Sequence, residues 1–130
     1  MADKGVPDGY SAVSPYLVVP EAGAFIKFMK EGLGADEIRR FAGDDGRIMH
    51  AEMRLGDTVI MLGEASGDAR HWPAMLHFYV PDCDAAYRRA LDAGAISARE
   101  PGDNPDGDRR GGVDDRWGNQ WWFATPVRKG

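Results

Sequence analysis

The sequence predicts an α+β fold built from two β-α-β-β-β repeats, because three landmarks of the first half recur in the second. The landmark pairs are Val19-Pro20 with Val80-Pro81, Gly34-Ala35 with Gly94-Ala95, and Arg54-Leu55-Gly56-Asp57 with Arg116-Trp117-Gly118-Asn119. Their separations are 61, 60 and 62 residues, each within one residue of 61. A constant separation of this kind indicates a duplicated supersecondary unit. Two such units can form a cleft between curved mixed sheets, where we expect the functional site.

The first repeat begins with a predicted strand over residues 11–19, which are rich in apolar and β-favouring side chains. Pro20 suits the first turn of a helix because it has no N–H group that would need a partner there. The helix has an apolar stripe that includes Phe25 and Phe28, and Gly34 is expected to end it in a left-handed conformation. Three further strands are predicted at Glu37–Ala42, Arg47–Leu55 and Thr58–Leu62.

The second repeat follows the same order after a polar connector. A strand is predicted at 75–80, a helix at 82–93, and strands at 96–99, 109–113 and 120–124, with a loop over 101–108. A chain of 130 residues is long enough for one domain with a shared core. We therefore expect residues 1–130 to form a single domain, with repeat one at about 11–63, the connector at 64–73 and repeat two at about 74–125.

The composition of the chain indicates which kinds of binding partner and which cellular compartment to expect. The net charge is −5 and no basic cluster stands out, which argues against nucleic acid as a partner. No apolar run is long enough to span a membrane, and residues 1–5 lack the apolar stretch of a signal peptide. The single Cys83 cannot form an internal disulfide bond, which fits a reducing compartment. These features predict a cytoplasmic protein without a nucleic-acid or membrane partner.

Short motifs occur near both ends of the chain and in its central strands. They are Val6-Pro7-Asp8-Gly9-Tyr10, Pro15-Tyr16-Leu17, Gly46-Arg47-Ile48-Met49-His50-Ala51-Glu52, Gly56-Asp57, Met61-Leu62, Gly107-Asp108-Arg109, Val113, Asp115, Gly118, Trp121 and Ala124-Thr125. With the repeat, they resemble the vicinal oxygen chelate superfamily, the glyoxalase/bleomycin-resistance/dioxygenase fold, and within it the PhnB-like branch. The resemblance implies that the protein is a homodimer.

Three positions depart from the pattern of that branch. Arg116 stands where the branch usually has proline, Asn119 where it often has histidine, and Asp106 where an aromatic residue is common. Chemistry that depends on this histidine in relatives is therefore not expected here. The superfamily places isomerases, dioxygenases, epimerases, thiol transferases and binding proteins on one scaffold, so the fold alone does not identify an activity.

The resemblance also implies four metal-ligand positions, two in each repeat. Alignment of the repeats places them at Ser14, Met61, Met75 and Trp122. Divalent ions in such sites prefer imidazole nitrogen and carboxylate oxygen, and these four residues supply neither. We therefore expect no bound metal and no other cofactor.

A second group of candidate residues is His50, Glu52 and His77. In a strand, Ile48, His50 and Glu52 lie on one face, with Met49 and Ala51 on the opposite, apolar face. Met75, His77 and Tyr79 likewise share a face. His50 and Glu52 form an acid/base pair if they face the cleft, or with His77 they bind iron as a facial triad. Alternatively, His50 and Glu52 lie on a solvated strand face or at a dimer contact.

Aromatic and thioether side chains suggest a ligand pocket. The candidates are Tyr16, Met61, Met75, Tyr79 and Trp122, which together form an apolar cup or simply fill the interior. The adjacent Trp121 faces the other side of its strand and is expected in the core. Arg109 either holds a ligand carboxylate or phosphate, or fixes its loop through a salt bridge.

The leading hypothesis is a metal-independent small-molecule binding protein of the glyoxalase/bleomycin-resistance type. It would sequester a hydrophobic or aromatic ligand in the cleft between the repeats. The alternative is a lyase, isomerase or dioxygenase that uses His50 and Glu52, with or without His77. A third interpretation is a dimeric accessory protein whose cleft has lost its ligand.

Overall fold

A computed structural model describes residues 5–67 and 69–127. The first repeat contains β1 (Tyr16–Val19), α1 (Ala22–Leu33), β2 (Asp36–Ala42), β3 (Ile48–Leu55) and β4 (Thr58–Glu64). The second contains β5 (Met75–Tyr79), α2 (Cys83–Asp92), β6 (Ile96–Asp103), β7 (Asp108–Asp114) and β8 (Gln120–Pro126). The predicted β-α-β-β-β order is confirmed in both repeats.

Each repeat forms a four-stranded mixed sheet with the same topology. The strand orders are β1-β4-β3-β2 and β5-β8-β7-β6. The first strand of each repeat pairs in parallel with the last, and the other neighbours are antiparallel. These features confirm the predicted α+β fold class. The chain forms two compact units, one of residues up to Lys30 with Gly34–Trp72, and the other of Glu31–Leu33 with Pro73 onward.

One face of the first sheet and one side of α1 supply the core of the first unit. The buried residues include Leu17, Val19, Phe25, Ile26, Met29, Ala51, Met53 and Leu62. Along β3, the buried apolar positions alternate with polar ones from Ala51 onward, as expected for a strand with one face in the core. The opposite face of this sheet is therefore available for polar side chains.

The start of the first repeat differs from the prediction. Strand β1 begins only at Tyr16, and residues 11–15 have no regular structure. Helix α1 begins at Ala22, because Glu21 takes up a left-handed conformation (φ 51°) and separates Pro20 from the helix. Gly34 ends the helix with φ 77°, so the predicted left-handed cap is confirmed.

A β-bulge in β3 changes the predicted face of two residues. The pairing with β2 shifts between Phe41, opposite His50, and Ala42, opposite Ile48, so that Met49 is the extra residue. Ile48 is buried as a result, whereas Met49 is 58% exposed. The prediction that placed Met49 on the apolar face and Ile48 on the polar face is therefore wrong.

In the second unit, the predicted loop over 101–108 is shorter than expected. Strand β6 continues to Asp103, because two register shifts allow it to follow β7 past Pro101. β6 lies at the edge of its sheet, where a proline without an N–H group is tolerated. Helix α2 is capped by Asp82, whose carboxylate accepts a hydrogen bond from the N–H of Ala85 at 3.1 Å.

A buried carboxylate organises the turn between β7 and β8. Asp115 is 7% exposed and accepts hydrogen bonds from the backbone N–H groups of Trp117 and Asn119 at 2.8 and 2.9 Å. It also accepts from the side chains of Asn119 at 3.0 Å and Trp121 at 2.9 Å. Trp121 is fully buried, which confirms its predicted core position.

Within residues 5–67 and 69–127, no helix is both long and apolar enough to cross a bilayer.

Replacement of Asp115 by alanine is expected to destabilise the protein by about 3 kcal/mol or more. The change leaves several buried donors without an acceptor, and each such group costs roughly 1–3 kcal/mol. Urea denaturation followed by circular dichroism measures the effect. Asp114→Ala is the matched control, since Asp114 is exposed and bonded to Gln120; its expected effect is below about 1 kcal/mol. Equal losses in the two variants would contradict the assignment.

Candidate functional site

A polar cluster lies on the open face of the first sheet. Tyr16 on β1 and Glu52 on β3 are both register partners of Met61 on β4. Directly paired residues of neighbouring strands point to the same face, so these three side chains share one surface. His50 lies two residues before Glu52 and joins them. The sheet register therefore brings together Tyr16 and Met61 with His50 and Glu52, residues that the sequence analysis treated as two separate groups.

Four side chains of this surface form a continuous hydrogen-bonded chain. The hydroxyl of Tyr16 lies 3.2 Å from Nδ1 of His50, and Nε2 of His50 lies 2.9 Å from Oε2 of Glu52. The other carboxylate oxygen of Glu52, Oε1, accepts a short hydrogen bond from the hydroxyl of Tyr10. The order of the chain is Tyr16, His50, Glu52, Tyr10.

Glu52 is the centre of this chain and is only 7% exposed. Burial by itself raises the pKa of its carboxyl group, but the hydrogen bonds from Tyr10 and His50 and the charge of Arg39 outweigh burial, so the pKa is lowered. Conversely, the hydrogen bond to Glu52 raises the pKa of Tyr10. Near neutral pH, Glu52 is therefore an ionised acceptor and Tyr10 a protonated donor.

The charge state of Glu52 assigns the ring protons of His50. An ionised carboxylate accepts only, so Nε2 of His50 carries the proton that it donates to Glu52. In the neutral imidazole, Nδ1 is then the acceptor for the hydroxyl of Tyr16, whose pKa is raised by burial. This arrangement orients His50 through Glu52 and leaves Nδ1 as the ring nitrogen that can take up a proton.

Tyr10 and Arg39 belong to the site but were not singled out from the sequence. Nε of Arg39 lies 3.5 Å from Oε1 of Glu52, because Arg39 is the register partner of Glu52 on β2. Tyr10 lies in the irregular segment before β1, where no periodic pattern reports the direction of a side chain. The Tyr10 motif was visible in the sequence, but its contact with Glu52 was not.

A cavity of about 450 Å³ opens beside Glu52 in the first unit. Its lining residues are Pro7, Tyr10, Ser11, Ala12, Ser14, Arg39, Glu52 and Met61. Ser14 and Met61, two of the positions predicted from metal-binding relatives, are thus part of the wall. The irregular segment 7–14 supplies most of the remaining wall.

The second sheet carries the other predicted ligand-binding residues. His77 and Gly112 are both register partners of Trp122, so all three share a face, and Met75 and Tyr79 are on the same side of β5. A Cβ atom on Gly112 would lie 2.7 Å from the ring of Trp122, which shows that the indole lies directly over this glycine. Met75 is 72% exposed and Tyr79 is 62% exposed.

Arginine 109 points away from that face. Its guanidinium makes two hydrogen bonds to Asp84 on α2, at 2.6 and 3.0 Å, and one to Asp103 at 3.1 Å. The neighbouring Arg110 lies on the face of Trp122 and donates to Nε2 of His77 at 3.3 Å. Arg109 therefore makes the salt bridge that was the alternative to ligand binding, with Asp84 and Asp103 as its partners.

The predicted site residues are thus distributed over the two compact units of the chain. Tyr16, His50, Glu52 and Met61 belong to the first unit, and Met75, His77, Tyr79, Arg109 and Trp122 belong to the second. A ligand role for each of these residues stays a prediction. For Glu52, its burial argues against the alternative of a solvated strand face.

The side chains at the positions of a superfamily metal site do not fit a divalent ion. Ser14 and Met61 offer a hydroxyl and a thioether, and the indole N–H of Trp122 is a donor that bonds to Gln120 at 2.7 Å. Within residues 5–67 and 69–127, no group of three or more His, Cys, Asp or Glu side chains is arranged to hold a metal ion.

The asparagine that departs from the branch pattern has a structural role. Asn119 is fully buried, donates to Asp115 and accepts from the N–H of Ala74 at 2.9 Å. Asp106, a second departure, accepts from Arg110 at 2.8 Å, and the guanidinium of Arg116 lies over the ring of Trp117. None of these three residues lines the cavity beside Glu52.

The fold and the sequence together identify the family. The chain belongs to the Glyoxalase/Bleomycin resistance protein/Dioxygenase superfamily, whose family model matches residues 11–123. An uncharacterised protein of Mycobacterium bovis is 35% identical over 129 residues, covering 91% of this chain and 85% of the relative. The anthracycline biosynthesis protein DnrV of Streptomyces peucetius is 29% identical over 118 residues, which cover 82% of this chain but 41% of DnrV.

Solved structures share the fold at low sequence identity. TioX from Micromonospora sp. ML1 has a TM-score of 0.76 and 23% identity, covering 90% of this chain and 99% of TioX. The PhnB protein from Bacillus cereus, a putative 3-demethylubiquinone-9 3-methyltransferase, has a TM-score of 0.70 and 16% identity, covering 88% and 99% of the two chains. These likenesses support the fold, and the PhnB-like branch stays a prediction.

The stability that Glu52 contributes is expected to depend on pH. Because its pKa is lower in the folded protein than the ordinary value of 4.5, ionised Glu52 stabilises the fold above about pH 4.5. This contribution is lost as the pH falls through the lowered pKa. Urea denaturation of the wild type and Glu52→Gln should therefore show the largest difference in unfolding free energy near about pH 7, and a shrinking difference at acid pH.

The exposed Glu100 provides the matched control for this measurement. The difference between wild type and Glu100→Gln should stay small across the same pH range. A wild-type advantage over Glu52→Gln that grows on acidification would contradict the lowered pKa.

Proposed function

We propose that the protein is a metal-independent small-molecule binding protein that takes up a hydrophobic or aromatic ligand. The observation that carries the proposal is the cavity of about 450 Å³ with the buried carboxylate of Glu52 in its wall. Ligand sites in proteins typically have volumes of roughly 300–1,000 Å³ and a few precisely placed polar groups. The family is named in part for bleomycin resistance proteins, which is consistent with binding.

The lining of the cavity suits a ligand with an apolar body and few polar groups. Pro7, Ala12 and Met61 supply carbon and sulfur surface, and the thioether of Met61 adapts readily to an aromatic ring. The charged groups of the wall are Glu52 and Arg39, which are paired on neighbouring strands, whereas Tyr10, Ser11 and Ser14 contribute neutral hydroxyl groups. Such a distribution orients a ligand by one end while the remainder is held by apolar contact.

One relative supports an aromatic ligand class. DnrV is named for anthracycline biosynthesis, and anthracyclines contain a planar fused-ring system. The matched region spans less than half of DnrV, so its role does not transfer directly to this chain. As a separate proposal, expected from the sequence, Met75, Tyr79 and Trp122 on one face of the second sheet also bind an apolar or aromatic molecule.

Binding can be measured with 2-methoxynaphthalene as a plain bicyclic probe. A ligand of about twelve heavy atoms that gains roughly 0.4 kcal/mol per atom binds with a Kd of about 0.3 mM. Equilibrium dialysis should detect this affinity in the wild type. Ala12→Trp, which places an indole in the cavity wall, should abolish binding.

Ala98→Trp is the control for this experiment, since it adds the same side chain to an exposed position of β6. It should bind the probe like the wild type. No binding by wild-type protein to this probe or to 2-naphthol would contradict the proposed function and would favour an accessory protein without a ligand.

The hydrogen-bonded chain favours a second candidate function, a lyase or isomerase that works by acid/base catalysis. Glu52 orients His50, and Nδ1 of His50 takes a proton from the substrate by way of the hydroxyl of Tyr16. The proton then resides on the imidazolium, which the negative charge of Glu52 stabilises. The dioxygenase version of this hypothesis requires a metal ion, for which no fitting donor set was found in the described part of the chain.

Deuterium incorporation from D₂O into 2-tetralone, an aromatic ketone with acidic C–H groups, tests this second function by NMR. If the protein accelerates exchange, Glu52→Gln and His50→Ala should each reduce the acceleration by about 100-fold, a typical contribution of acid/base groups. Glu100→Gln should retain it. An acceleration that survives both site substitutions would rule out His50 and Glu52 as the proton-transfer pair.

The remaining expectations from the sequence are kept as proposals. They are a homodimeric assembly, a cytoplasmic location, the absence of nucleic-acid and membrane partners, and membership of the PhnB-like branch. The family assignment is compatible with each of them.

A further inference from the structure

Tyr10 occupies a polar contact point that a ligand of the cavity would also reach. Its side chain is part of the cavity wall, and its hydroxyl donates to Oε1 of the buried Glu52. Oε2 of Glu52 is engaged with His50. Within the wall, the phenol of Tyr10 therefore takes the place on Glu52 that a hydroxyl group of a bound molecule would take.

The segment that carries Tyr10 is irregular, and the hydrogen bonds near Tyr10 come from a turn and from a side chain. A turn closes with a hydrogen bond from the N–H of Tyr10 to the carbonyl of Pro7 at 3.1 Å. The carbonyl of Gly9 accepts from Nη1 of Arg54 at 3.2 Å. Residues 5–15 contain no helix or strand, and a backbone hydrogen bond from the sheet to this segment, from the N–H of Met61 to the carbonyl of Pro15 at 2.9 Å, lies five residues after Tyr10. A rotation of this side chain would leave Oε1 open to another donor.

We propose that the ligand of this cavity is an aromatic molecule with a phenolic hydroxyl group, which displaces Tyr10 and donates its hydrogen bond to Glu52. The proposal rests on the proposed binding function and specifies its ligand class. The ring of the ligand lies against Met61 and the apolar part of the wall, while the hydroxyl reaches Oε1.

The charges around Oε1 select a neutral donor over charged groups. Glu52 is ionised and buried, so a ligand carboxylate or phosphate placed beside it would be repelled. A ligand cation would meet the guanidinium of Arg39, whose Nε is 3.5 Å from the same oxygen. A phenol supplies a hydrogen without adding charge, and it is chemically the same donor that Tyr10 presents.

If the phenol of the ligand replaces the phenol of Tyr10 on Glu52, the substitution Tyr10→Phe should change the affinity for phenolic ligands. In the wild type, a phenolic ligand gains a hydrogen bond only by breaking the equivalent bond of Tyr10. In Tyr10→Phe, Oε1 has lost that donor before the ligand arrives. Hydrogen bonds to charged groups are strong enough that affinity for a phenol should rise about tenfold in this variant.

The experiment compares 2-naphthol with 2-methoxynaphthalene by equilibrium dialysis against wild type, Tyr10→Phe and Glu52→Gln. Tyr10→Phe should bind 2-naphthol about tenfold more tightly and change little toward the methyl ether, which has no hydroxyl hydrogen. Glu52→Gln should lose the preference for the hydroxyl compound. Its amide oxygen is engaged by His50, which leaves the amide N–H₂ group to face the ligand and to donate to either probe.

Tyr87→Phe is the matched control, because it removes a tyrosine hydroxyl that donates to Ser97 at 2.6 Å in the second unit. It should bind both probes like the wild type. The proposal is overturned if Tyr10→Phe changes the affinity for both probes equally or weakens 2-naphthol binding. The proposed function fails separately, and the ligand class with it, if neither probe binds to wild type or to Tyr10→Phe.

An NMR measurement tests the displacement of Tyr10 in the wild-type protein itself, so that ligand binding to a variant is not needed. With ¹³C-labelled tyrosine, saturating 2-naphthol should shift the Cζ resonance of Tyr10 because its hydroxyl leaves Glu52. Saturating 2-methoxynaphthalene should leave that resonance close to its position in the free protein. The spectrum of Tyr10→Phe assigns the resonance, and an unchanged Tyr10 signal with bound 2-naphthol would overturn the displacement.

Discussion

The alternation of side chains along the strands determines on which face of the sheet this protein can carry polar functional side chains. Ala51 and Met53 are committed to the core, which leaves His50 and Glu52 on the opposite face of β3. A shift of register by one residue would bury the polar side chains and expose the apolar ones. The bulge at Met49 ends this alternation just before His50, so the polar pair is confined to the middle of the strand.

Glu52 adds an electrostatic constraint to this geometry. A buried carboxylate is unfavourable unless donors compensate for the lost water, and here the donors come from different parts of the first unit. Tyr10 belongs to the irregular N-terminal segment, His50 to β3 and Arg39 to β2. The same interactions that satisfy the carboxylate thus position the wall of the cavity, so the stability of this region and its capacity for binding share one set of contacts.

The sequence predicted the repeated architecture well because that architecture depends on patterns that recur. The helices, the four strands of each repeat and the shared face of His50 and Glu52 all follow from local periodicity. Arg39 was missed because its position opposite Glu52 depends on register shifts within β2. Tyr10 was missed because an irregular segment has no period from which the direction of a side chain can be inferred. Arg109 illustrates a third difficulty, since its partner Asp84 lies 25 residues earlier in the chain on α2.

The contact between Trp122 and Gly112 has a consequence for variation within the family. The indole lies so close to the backbone of β7 that even a methyl group at position 112 would overlap the ring. A homologue with a larger residue at this position must therefore carry a narrower side chain on β8. Positions 112 and 122 are therefore expected to change together during evolution. Glycine at position 112 identifies the homologues that can keep an indole flat on this surface of the second sheet.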